Sequence, residues 1–145
     1  QRGVVVIFNG EYEVSNFLAL LGSSGGSGNS PWLKTAAANE SKIFGADGPA
    51  QLEGLNAASS WSLSADDAKV VTCMYGSDDD CALWQYDMGK GRYFGAAPDY
   101  YDAAPYGSQD GGWVSALGLV FSAVPAASPT ASSATRPVSF LAALL

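Results

Sequence analysis

The segment from Lys69 to Asp87, KVVTCMYGSDDDCALWQYD, constrains the fold more than any other part of the chain. Two runs of β-formers flank a tip of turn residues, Gly76-Ser77-Asp78-Asp79-Asp80. This is the pattern of a hairpin. A three-residue loop at 76–78 sets Tyr75 opposite Asp79 and Cys73 opposite Cys81, the only two cysteines in the chain. Opposed residues in a non-hydrogen-bonded pair have Cα atoms about 4.5 Å apart, within reach of a disulfide. Closing so short a loop contributes about 2–3 kcal/mol through chain entropy. The same register pairs Val71 with Leu83 on the cysteine face and Val70 with Trp84 on the other. Both faces are then apolar near the base, which places the hairpin inside a layered β structure.

The rest of the chain supports a β-rich reading. Residues 3–14, GVVVIFNGEYEV, carry strand formers followed by Asn9-Gly10, a two-residue hairpin signal. They predict an N-terminal hairpin, or a strand that docks on another subunit. Residues 15–21 suit a short helical turn. Residues 22–30, GSSGGSGNS, have the composition of a flexible linker. Pro31 to Ser41 predicts a short helix. Residues 59–64, SSWSLS, alternate like a half-buried strand with Trp61 and Leu63 facing in. Residues 88–112 are rich in glycine and aromatics and read as loop. Trp113 to Val124 is the most apolar long run, and its glycine, valine and phenylalanine favour a buried strand.

The expected class is mainly β, an antiparallel β-sandwich or jelly-roll-like single domain with one hairpin disulfide and at most short helices. The β-rich domain covers 1–124. A Pro/Ala/Ser/Thr-rich linker follows at 125–137 and an apolar C-terminal strand at 138–145. At 145 residues the chain is long enough to bury roughly two thirds of its unfolded surface.

Composition excludes several function classes. Charged residues make up 14 % of the chain, against a usual share of about 25 %. The net charge is −7, with seven Lys and Arg spread along the sequence. Phosphate backbones need a basic surface, so nucleic acid is not an expected partner. No run approaches the roughly 20 apolar residues of a membrane-spanning helix. There is no histidine. That removes Ser-His-Asp and Cys-His catalysis, histidine-based zinc sites and the imidazole pH switch. No catalytic residue, metal or cofactor is expected. A disulfide, low lysine content and acidity together favour an extracellular or cell-surface setting. Asn39-Glu40-Ser41 is a sequon, making Asn39 a candidate glycosylation site.

Three functions fit these residues. The first is a non-enzymatic extracellular structural subunit that self-assembles, as a filament or surface layer, through terminal β-strands. Its candidate assembly residues are Val4, Val6 and Phe8 at one end and Val138 and Phe140 at the other, and its partners are copies of itself. Apolar strands beside flexible joints suit strand exchange between protomers. The second is a lectin-like, carbohydrate-binding module. Trp84, Tyr86, Tyr93, Phe94, Tyr100, Tyr101, Tyr106 and Trp113 crowd one stretch of sequence, where flat aromatic faces beside acids suit sugar rings. Its candidate binding residues are Tyr93, Tyr100, Tyr101 and Trp113, with Asp99 and Asp102 accepting sugar hydroxyls. The third is a carboxylate-dependent glycoside hydrolase pairing Glu11 or Glu13 with Asp87, Asp99 or Asp102. Asp78-Asp79-Asp80 lacks the spaced pattern of a calcium loop and reads as a solvated turn.

Overall fold

The computed structural model describes residues 5–9, 24–26, 30–54, 60–77, 80–98 and 110–123. In these residues the chain is mainly β, with eight strands and two short helices. The strands are β1 (Val5–Asn9), β2 (Ser24–Gly26), β3 (Trp32–Lys34), β4 (Gln51–Leu52), β5 (Ser60–Ser62), β6 (Val71–Ser77), β7 (Asp80–Met88) and β8 (Gly91–Ala96). Helix α1 is Ala36–Glu40 and helix α2 is Trp113–Ser122. All strands join one curled sheet in the order β1-β8-β7-β6-β3-β4, with β2 and β5 branching from β7.

The sheet is mixed rather than wholly antiparallel. β1 runs parallel to β8, with Val6 beside Tyr93 and Ile7 beside Phe94. The Asn9-Gly10 signal predicted an antiparallel hairpin partner directly after β1. That second strand falls in residues outside the described set, and the observed partner of β1 is the distant β8.

The β6–β7 hairpin and its disulfide are present, but the register differs from the expected one. Ser77 opposes Asp80, so the tip has two residues and not three. Gly76 therefore faces Cys81, and Cys73 faces Trp84. The Cys73–Cys81 bond crosses diagonally, with the Cα atoms 5.7 Å apart. Glycine at position 76 permits the crossing, since a Cβ there would press on Asp80 O and Cys73 Sγ. Two irregularities complete the register. Met74 is extra on β6 and Ala82 is extra on β7, where the Ala82 carbonyl accepts from Ala97 N at 2.9 Å. Val71 consequently pairs with Tyr86 and not Leu83. The expectation of two-sided burial stands: Cys81, Ala82, Leu83 and Trp84 are buried in succession.

The Trp113 run is a helix, not a strand. Its buried residues Trp113, Ala116, Leu117 and Val120 follow the helical spacing i, i+3, i+4, i+7. Asp110, two residues before the Gly112 N-cap, accepts through its Oδ1 from Val114 N in the first turn at 3.1 Å. Gly112, at φ +89°, makes the turn into the helix, where a Cβ would press on Gln51 O at 2.8 Å. The helix is tied to the chain after β4 by Glu53 N donating to Gly111 O at 2.9 Å and Trp113 Nε1 donating to Glu53 O at 2.9 Å.

Three smaller readings change as well. The helix expected over 31–41 is confined to Ala36–Glu40, because Trp32–Lys34 pair with β4 and β6. Thr35 caps it, accepting from Ala38 N at 3.2 Å while donating to Cys73 O at 2.8 Å. Ser24–Gly26, inside the expected linker, pair with β5. Gly91–Ala96, inside the expected loop, form β8.

All four tryptophans, Trp32, Trp61, Trp84 and Trp113, are buried. Trp32 and Trp113 meet edge to face at 6.0 Å, and Phe44 contacts both Tyr75 and Phe94 the same way. Tyr75 lies in this core and donates to Pro49 O at 3.0 Å. Burial pushes its phenol up to about 12 from 10.0. The unfolded chain then loses this proton first as pH rises. Tyr75 contributes nothing pH-dependent below about pH 10, and stability falls between about pH 10 and 12. Urea midpoints measured across that window should fall more steeply for the parent chain than for Tyr75→Phe. Parallel declines would contradict the assignment.

Candidate functional site

The candidate assembly site is the free edge of β1. This strand, Val5-Val6-Ile7-Phe8-Asn9, carries no charge and no proline. Its β-branched and aromatic residues explain its strand conformation. Val5 and Ile7 pack against the core, and Val6 is half-buried on the opposite side of the strand. One backbone edge bonds to β8. Among the described residues, nothing pairs with the other. Backbone N–H and C=O groups of alternate residues point to that open edge, and such a row is a template for another strand. Natural edge strands are commonly blunted by lysine, proline or a bulge. The described β1 has none of these devices. At the far end of the sheet, β4 is only two residues long.

The other assembly candidates lie outside the described residues: Val4, Val138 and Phe140. For Phe8 only its place in β1 is described, beside Gly95.

The structure separates the expected aromatic belt. Tyr93 is half-buried on β8, across from Tyr86 on β7, with ring centroids 6.0 Å apart and planes tilted by 40°. Val71 and Val6 continue the same cross-sheet row on either side of this pair. Trp113, expected at a binding surface, is instead 1 % exposed in the core, with its indole N–H committed to Glu53 O. Trp84 is likewise interior. Tyr100, Tyr101, Asp99 and Asp102 lie outside the described residues.

Of the acids weighed for hydrolysis, Asp87 is described. It sits in an ion pair with Arg92, Oδ1 to Nε at 2.7 Å, on an exposed part of the β7–β8 hairpin. Glu11 and Glu13 lie outside the described residues. Asp80, from the tip, accepts from Ser62 Oγ at 2.8 Å, linking β7 to β5. Among the described residues, no three side chains of the metal-binding types cluster. Asn39 is exposed on α1, and Ser41 of its sequon accepts from Ile43 N at 3.0 Å.

The disulfide fits an oxidising compartment. No helix among the described residues is long and apolar enough to cross a membrane. No family model matches this chain, and neither does any curated protein or solved structure.

Proposed function

We propose that this chain is a non-enzymatic, extracellular structural subunit that assembles with copies of itself by strand addition at β1. The observation that carries the reading is an uncharged apolar strand at the end of an eight-stranded sheet, with one backbone edge open among the described residues. Adding a strand there continues the ladder and covers more apolar surface at once. The disulfide, which pins the β6–β7 hairpin, supports the extracellular setting. The lectin-like alternative retains only Tyr93 of its expected binding residues at a described, half-buried position, and is the weaker reading.

Light scattering across a concentration series tests the proposal. The full chain should form oligomers that grow with concentration, and a chain lacking residues 1–8 should not. Proline variants guard against a truncation that merely unfolds the sheet. Successive residues of a strand direct their N–H groups to opposite edges. Of Val6→Pro and Ile7→Pro, one therefore breaks the ladder to β8, and the other removes an outward N–H while leaving that ladder intact. The outward variant should stay folded yet lose assembly. Assembly by both the truncated chain and the folded proline variant would overturn the proposal.

A further inference from the structure

The opposite side of the hairpin from Tyr86 and Tyr93 carries a second feature. An open groove of about 320 Å³ runs between α1 and the β6–β7–β8 face. Met74, 4 % exposed, contributes to its lining. Its polar walls are Glu40, Ser41, Lys42, Thr72, Gln85 and Arg92. These residues are far apart in sequence, and the sheet register brings them together. Thr72 opposes Gln85 across β6–β7, and Arg92 opposes Asp87 across β7–β8.

From these residues we infer a binding site for a carboxylated sugar, a uronate within an acidic glycan. The hydrogen-bonding inventory supports this ligand class. Lys42, Thr72 and Glu40 make no side-chain hydrogen bond among the described residues. Gln85 gives one amide hydrogen to Asp87 Oδ2 at 3.0 Å and keeps its carbonyl oxygen and second hydrogen. Arg92 gives Nε and one Nη to Asp87 and retains further N–H donors. The groove thus offers donors and acceptors side by side, as a ring of hydroxyl groups requires. Ala37, half-buried on α1, and the small exposed part of Met74 supply the apolar part of the lining for the C–H face of the ring.

Charge selects the carboxylate. The chain is acidic overall, and its cations are few. Among the described ones, Lys34 is engaged with the Gly45 and Gly48 carbonyls, Lys69 with Asp66, and Lys90 sits on the β7–β8 turn outside the groove lining. Lys42 and Arg92 both line this one groove. Lys42 has no ion-pair partner among the described residues, and Arg92, though paired with Asp87, keeps spare N–H donors for one carboxylate, while the Glu40 carboxylate at the wall disfavours a doubly charged phosphate. Six polar walls argue against an apolar ligand. A volume near the low end for ligand clefts suits one or two sugar rings. This site is independent of the β1 edge.

The full chain should be titrated with trigalacturonate and with neutral galactotriose, by calorimetry and by amide chemical shifts. The acidic sugar should bind and shift the Thr72, Gln85 and Lys42 signals, and the neutral one should not. Lys42→Gln, at an exposed position, should weaken binding about tenfold by removing a charge-assisted hydrogen bond. Thr72→Val, which leaves the charge intact, should weaken it severalfold. Absence of binding, equal binding of the neutral sugar, competition by inorganic phosphate at equal concentration, or an unchanged affinity in Lys42→Gln would each overturn the inference.

Discussion

Gly95→Ala is expected to destabilise the fold by about 3 kcal/mol or more, the upper range for forcing atoms into a packed core. Gly95 lies opposite Trp84 across the β7–β8 ladder. The indole lies against the glycine backbone, and a Cβ at position 95 would land on its Cε2 and Cζ2 atoms. Neither side can yield cheaply. Trp84 is buried at 0 % exposure, and β8 is held between β7 and β1. Gly118→Ala is the control. It sits inside α2, where an added Cβ meets nothing within 4 Å, so it should stabilise by about 0.5–1 kcal/mol through helix propensity. Urea unfolding of the two variants should move the midpoint in opposite directions. Equal effects would mean that Trp84 does not rest on Gly95. The first variant also bears on function, because β8 is the strand to which β1 bonds.

Trp113→Ala is expected to cost about 3–5 kcal/mol, the range for deleting a buried aromatic. Trp113 joins helix to sheet: its ring meets Trp32 edge to face, and its N–H reaches Glu53 O. Trp113→Phe restores much of the volume but leaves the Glu53 carbonyl without that donor, so a residual loss of about 1–2 kcal/mol should remain. If Trp113→Ala unfolds like the parent, α2 is not a structural part of the core.

Particular residues show what could be read before the structure was known. The disulfide hairpin was legible because cysteines, β-formers and turn residues all lie within one short segment. Its register was not. The two-residue tip and the compensating extra residues Met74 and Ala82 follow from packing on both sides of β7, which no local signal encodes. The α2 periodicity was present at Trp113, Ala116, Leu117 and Val120. Apolar residues on the other face, Val114 and Phe121, hid that period by making the whole run read as buried, although both are exposed. β8 was hidden by its glycines. Gly95 reads as a strand breaker, yet it is the glycine that a close approach by Trp84 requires. Tryptophan and tyrosine looked equivalent in sequence. Burial separates Trp84 and Trp113, which are inside, from Tyr86 and Tyr93, half-exposed on the sheet, while Tyr75 is buried with the tryptophans. The groove residues were illegible for a simpler reason. Lys42, Thr72, Gln85 and Arg92 become neighbours only through the strand pairing.

The β1 edge was legible as an apolar strand, while its parallel partner, long-range in sequence, was not. That edge is also where the functional account is most exposed to test. Amide hydrogen exchange across Val5 to Asn9 measures it directly. In the dilute chain, the alternate amides that bond to β8 should be protected, and those facing outward should exchange freely. At concentrations where the chain assembles, the outward amides should become protected as well. Outward amides that still exchange freely in the assembled protein would contradict strand addition at β1.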